Sequence, residues 1–268
     1  MIISHKHINK QFIDKLLFFG AELSKEVCDI QERGFETLQK DDKSPLTEAD
    51  LHSNKRICEF LAANTDVSNI ISEENKEVKY KDRAKWDYYW LIDPIDGTKE
   101  FVKGGDDFCI NIALCKGSEP VFGYVACPKK QDQYFAIKDR GAFKNGERIY
   151  AKYSYNPQGE PIKVVASKSH LNEETEEFIN NLKKNHEVET LNIGSSLKFC
   201  LVAEGEAHIY PRFGPTMEWD TCAPQIIAEE SGATVLIEGT NQRLNYNKES
   251  LLNPFFIVSC KIFKYFLT

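Results

Sequence analysis

The chain lacks any pair of cysteines at CxxC spacing, any apolar run long enough to cross a bilayer, and any excess of basic residues. Each absence removes a class. Without CxxC spacing a zinc ribbon is unsupported, and the eight cysteines lie mostly in apolar runs, as in Phe108–Cys115. They read as buried free thiols of a reducing compartment. A net charge of -7 excludes a general binder of nucleic acid polymers, which presents a basic face. It leaves small anionic substrates open, because a bound cation inverts the local sign. No apolar stretch followed by a small-residue cleavage site opens the chain, so no integral membrane segment and a cytoplasmic location are expected. Six scattered histidines suggest no chemistry, and His5, His7 and His52 read as helix-surface residues. Trp86, Trp90 and Trp219 read as core, not as base-stacking platforms.

What is present fits a soluble globular protein. The 268 residues are 41% hydrophobic and 28% charged, enough for one large domain or two lobes. Phe12, Leu16, Phe19, Leu23, Val27 and Ile30 recur at helical spacing, predicting a helix over roughly 5–33. A polar loop follows. Ser44 before Pro45 signals a start, and Thr47 to Asp50 opens a helix to about Asn64. Strands are expected at 69–72, 88–92, 108–115, 121–127 and 133–137, with Asn145-Gly146 as a hairpin turn. Residues 152–161 read as a connector, dividing a first lobe at 1–151 from a second at 152–268. Beyond it the expected order is strand 164–166, helix 172–184, a helix opened by Gly194-Ser195-Ser196, strand 208–211, a helix from Asp220 to Gly232, and strands 233–237 and 256–260. Such alternation suits layers of helix and sheet.

The most informative run is Trp90-Leu91-Ile92-Asp93-Pro94-Ile95-Asp96-Gly97-Thr98. It is an apolar strand stopped by two acids on a rigid turn. Two carboxylates held together call for a cation, and hard divalent ions prefer such oxygens. Haloacid-dehalogenase phosphatases also place an Asp after a strand, but with the second Asp two residues on. Here it is three on, which favours metal ligands with water as nucleophile. Glu73, Asp220 and Asp50 also fall at element ends, where side chains can converge. Each acid taken singly also reads as a helix cap or a solvated side chain.

This run and Trp219-Asp220-Thr221-Cys222-Ala223-Pro224 resemble the two signatures of the lithium-sensitive, magnesium-dependent phosphatases typified by inositol monophosphatase. The likeness extends over roughly residues 10–260. Asp96-Gly97-Thr98-Lys99-Glu100-Phe101, the stretch 194–205 and the stretch 210–216 are most similar to the bacterial 3'(2'),5'-bisphosphate nucleotidase branch. The resemblance implies an α/β fold, an alternating αβαβα sandwich in two lobes. It implies Mg²⁺ (two or three ions) held by Glu73, Asp93, Asp96, Asp220 and the Ile95 carbonyl. It further implies water activation by Asp50 and Thr98, and a phosphate cradle at Gly97 and Thr98. The substrate implied is adenosine 3',5'-bisphosphate, in a setting of sulfur assimilation, with peripheral association at the inner membrane left open. Glu73, Ile95, Asp96, Gly97, Thr98, Ser195, Lys198, Arg212 and Asp220 are the expected substrate contacts, with Lys198 and Arg212 for the second phosphate. Lys198 alone also reads as a solvated helix lysine, and Arg212 as a structural ion pair. The competing functions are an inositol monophosphatase and a nucleotide sensor without turnover.

Overall fold

Helix α1 (Lys10–Arg33) buries Phe12, Leu16, Phe19, Leu23, Val27 and Ile30 along one stripe, as its spacing predicts. It starts later than expected. Asn9 caps it by accepting from the Phe12 amide at 2.8 Å, and strands β1 (Ser4–His5) and β2 (Ile8–Asn9) pair before it. His7, in the turn between them, is not a helix-surface residue: its side chain is largely buried and bonded to Asp66. The computed structural model describes residues 4–40, 45–152, 159–167 and 172–266. Ser44 and most of the expected connector, residues 153–158, lie outside them.

Strands β3 (Thr37–Gln39) and β4 (Pro45–Thr47), which were not expected, pair as a hairpin on either side of the expected polar loop. Thr47 then caps α2 (Glu48–Asn64) in a capping box with Asp50. β5 (Ile70–Ser72), the short α3 (Tyr80–Arg83) and β6 (Tyr88–Asp96) follow. Next come α4 (Thr98–Val102), β7 (Cys109–Lys116), β8 (Glu119–Cys127), β9 (Asp132–Ile137), β10 (Gly141–Lys144) and β11 (Glu147–Ile149). Asn145-Gly146 joins the last two. The seven strands β5–β11 form one sheet in sequence order, antiparallel except for β5 beside β6.

The remaining elements are β12 (Ile162–Ser167), α5 (Glu173–Lys183), β13 (Val188–Ile193), α6 (Leu197–Ala203), β14 (Ile209–Arg212), α7 (Glu218–Ser231), β15 (Ala233–Ile237) and β16 (Phe256–Cys260). Their sheet runs β13-β12-β14-β16-β15. β13 was not expected; its half-exposed Val-Glu-Thr-Leu-Asn-Ile carries no clean alternation, as befits an edge strand.

Two cores separate the layers. Trp90, Ile92, Ile110, Ile112 and Leu114 face α1 and α2. Tyr89, Leu91, Cys109, Ala113 and Cys115 point the other way, into a core shared with α6, α7 and the five-stranded sheet. That parity is the period-2 alternation of strands buried on both faces. The result is an alternating helix–sheet sandwich in which α7 packs on both sheets. Gly123 on β8 permits the approach: a Cβ there would lie 2.4 Å from the Ala223 carbonyl of α7. All eight cysteines are free, six of them buried. Among the described residues no helix is long and apolar enough to cross a membrane.

Candidate functional site

Asp93 and Asp96 are three residues apart, so a regular strand would aim them at opposite faces. β6 does not run regularly. Asp93 pairs with Asn111, and Asp96 with Cys109, so three steps on β6 match two on β7. The bulge at Pro94-Ile95 resets the alternation and turns both carboxylates toward α6 and α7, leaving Ile95 in the α1/α2 core. Ser53 on α2 donates to the Pro94 carbonyl at 2.9 Å and fixes the bulge from behind. The chain then turns through Gly97, whose φ of 92° suits glycine.

A cavity of about 780 Å³ opens on this edge, lined by Glu73, Asp93, Ile95, Asp96, Gly97, Thr98, Ser195, Lys198, Arg212 and Asp220. Every expected site residue except Asp50 is in its wall. Asp50 sits just behind. It accepts from the Thr47 amide at 2.7 Å as a helix cap and from the Thr98 hydroxyl at 3.2 Å, so the cap reading and the site reading both hold. Thr98 Oγ1 also lies 3.0 Å from the Ile95 carbonyl, to which its single proton can go instead.

The cavity wall is rich in buried acids. Asp93 is 1% exposed, and its carboxyl is pushed well above the usual carboxylate range, by desolvation first and then by Glu73, Asp96 and Asp220. Asp220 is raised for the same reasons, though the Met217 amide at 2.9 Å opposes the shift. Glu73 is raised by burial, against the pull of Lys40, whose Nζ lies 2.6 Å away. Among the described residues no lysine or arginine pairs with Asp93, Asp96 or Asp220. The acids share the cavity without closing on one point: no three described His, Cys, Asp or Glu side chains form a ready coordination group. Their oxygens are turned to protein donors, Asp96 to Ser195 Oγ at 2.7 Å and to the Ser196 amide. This donor set, carboxylates plus the Ile95 carbonyl with only Glu73 in an ion pair among the described residues, fits a hard divalent cation such as Mg²⁺.

The same wall carries two cations, close enough to the acids that Asp96 acts on Lys198 and Arg212 acts on Asp220. Lys198 is not the solvated helix lysine it resembles from sequence: it is 4% exposed, and its Nζ donates to the Ser195 carbonyl at 2.5 Å. Burial lowers its pKa to about 8, although Asp96 works in the other direction. Arg212 donates from Nη2 to the Pro215 carbonyl at 2.8 Å, while its buried Nε has no partner. Lys40, Asn111 and Ser196 are neighbours that sequence reasoning missed. Lys40 reaches Glu73 through the β3–β4 hairpin and Asn111 is fixed by pairing with β6, so no local motif marks them; Ser196 lies in the 194–205 stretch, but its bonds to Asp96 and Asn111 appear only in the fold.

A family model described as the inositol monophosphatase family matches residues 13–254. The 3'(2'),5'-bisphosphate nucleotidase CysQ of Salmonella typhimurium is 41% identical over 84% of this chain and 89% of its own length. The protein of that name from Haemophilus influenzae is 30% identical over 94% and 93%. The crystal structure of CysQ from Bacteroides thetaiotaomicron superposes with a TM-score of 0.78 at 39% identity, covering 90% of this chain and 93% of that one.

Proposed function

The chain belongs to the inositol monophosphatase family, and from that premise we propose that it is a Mg²⁺-dependent phosphatase converting adenosine 3',5'-bisphosphate to AMP and phosphate. The observation that carries this reading is one cavity with both signs of charge in its wall: four carboxylates contributed by β6, α7 and the residue after β5, together with the buried Lys198 and Arg212. A substrate with two phosphates uses both kinds of group. The 3'-phosphate would lie against the ions held by the carboxylates and the 5'-phosphate against Lys198 and Arg212.

Glu73, Asp93, Asp96, Asp220 and the Ile95 carbonyl would hold Mg²⁺, two or three ions in all. Bound there, Mg²⁺ supplies Lewis-acid activation and neutralises charge on the transferring phosphoryl group. The chain's own groups do the rest. Thr98 Oγ1 gives its proton to Asp50 Oδ1 and accepts one from the attacking water, so the proton moves along an existing hydrogen bond. Burial raises the pKa of Asp50 against the Thr47 bonds, which makes it a better acceptor than an exposed carboxylate. Gly97, without a side chain, and the Thr98 amide cradle the phosphoryl oxygens, and Ser195 holds Asp96 in place. Attack in line through a loose transition state leaves no phosphoenzyme.

On this reading Li⁺ inhibits, the enzyme works in the cytoplasm, and its product serves sulfur metabolism. We also divide the catalytic domain at residue 151/152, between β11 and β12, where one sheet ends and the other begins. Phosphate release measured side by side on adenosine 3',5'-bisphosphate and inositol monophosphate with Mg²⁺ tests the assignment. Preference for the bisphosphate is expected. Equal or better turnover of the inositol ester makes the chain an inositol phosphatase, and no release from either makes it a binding protein.

A further inference from the structure

Asn111 is fully buried on β7, directly opposite Asp93 in the β6–β7 ladder. Residues paired across antiparallel strands share a face, with Cβ atoms about 4.5–5.5 Å apart. Its two amide atoms have different fates. Oδ1 accepts from the Ser196 hydroxyl at 2.8 Å. Nδ2 is buried with no hydrogen-bond partner. A stranded buried amide donor is costly and calls for an explanation. Across the ladder is the matching deficit: Asp93 accepts from the Ile95 amide at 3.1 Å through Oδ1. With Oδ1 taken by the Ser196 hydroxyl, Nδ2 is the atom left to pair, and Asp93 is the residue opposite it in the ladder. Ser196 in turn gives its backbone amide to Asp96.

We infer that Asn111 is a positioning residue: with the divalent ion bound, Nδ2, which has no partner in this structure, takes the Asp93 carboxylate as its acceptor and orients it, while Oδ1, through Ser196, ties it to the turn that holds Asp96. One side chain thus links the two acids that the β6 bulge brings to the same face. The link also reaches the Ser195-Ser196 turn, next to the buried Lys198, so ion binding and substrate binding share a rigid support. This rests on the Mg²⁺ reading of the cavity. Partners of this kind around ligating carboxylates typically change metal affinity by about 10–100-fold.

The test is Mg²⁺ titration of metal-free protein, followed by melting temperature without substrate, for wild type and Asn111→Leu. Leucine is close in volume and removes a stranded donor, but it also takes the acceptor from the buried Ser196 hydroxyl, so the two effects on the metal-free midpoint oppose each other. The Mg²⁺ concentration for half-maximal stabilisation is expected to climb about tenfold or more. A variant that loses metal-free stability while its Mg²⁺ midpoint stays at the wild-type value would make Asn111 a packing residue only and overturn the inference. Should Asn111→Leu fail to fold, Ser196→Ala keeps the amide and removes its anchor. A several-fold rise in the Mg²⁺ midpoint is expected, and none would overturn the inference. A wild type indifferent to Mg²⁺ would overturn the metal reading itself, an outcome distinct from a responsive wild type matched by its variants.

Discussion

Lys198 shows what burial does to a single residue. Its ammonium is held by backbone carbonyls inside the cavity, and desolvation brings its pKa to about 8. The charged form therefore dominates below about pH 8 and fades above it, within range of an enzyme assay. The Michaelis constant for the bisphosphate is expected to rise as pH passes 8, and Lys198→Arg should flatten that rise, because guanidinium stays charged. Lys198→Met should raise KM about tenfold or more, the loss of roughly 1.5–3 kcal/mol from a charged hydrogen bond. Steady-state kinetics on both variants checks the pair, and a KM independent of Lys198 would remove it from the substrate subsite. Asp96→Asn is expected to cut kcat roughly a thousandfold or more, about 4 kcal/mol of transition-state stabilisation, with the fold intact by circular dichroism. Activity within a few-fold of wild type would refute the role given to Asp96. The sequence marks both residues by motif, but it could not place Lys198 inside the protein, since a lysine in a helix is ordinarily solvated.

Elements explain why motif residues converge. The spacing of Asp93 and Asp96 is visible in the sequence, but the bulge that gives them one face appears only when β6 is laid against Asn111 and Cys109 of β7. The α2 start was legible because Thr47 and Asp50 form a capping box three residues apart. The β3–β4 hairpin was not: its exposed Thr-Leu-Gln strand carries no alternation, and its partner lies across the loop. α7 is placed by contact with Gly123, and it carries Asp220 in its first turn. Gly123→Val should force the helix away from the sheet and destabilise the protein by about 1–3 kcal/mol. Moving Asp220 should also weaken Mg²⁺-dependent turnover beyond what the stability loss explains. Urea unfolding together with turnover below the melting range checks both, and a stable variant with wild-type kinetics would show that the close approach is dispensable.

At the scale of the molecule, the site depends on α7 packing against both sheets, which brings Asp220 to the acids that end the strands of the seven-stranded sheet. Hydrophobic periodicity located most helices and strands, whereas the five-layer order came from resemblance to a family, because periodicity says which face is buried but not against what. The shared cavity has a linkage consequence. Asp93, Asp220 and Glu73 have pKa values raised in the folded state, so without metal the folded protein holds protons that the unfolded chain has released. Their contribution to metal-free stability is therefore lost as pH rises above the ordinary carboxylate range near 4. Mg²⁺ should restore it, so the increase in melting temperature on adding Mg²⁺ is expected to be larger at pH 8 than at pH 5, as calorimetry can show. The most direct test of the metal centre is an anomalous difference map from crystals soaked in Mn²⁺, an oxygen-seeking stand-in for Mg²⁺. Peaks are predicted in the cavity among Glu73, Asp93, Asp96 and Asp220; an empty cavity with Mn²⁺ bound elsewhere on the protein would contradict the account.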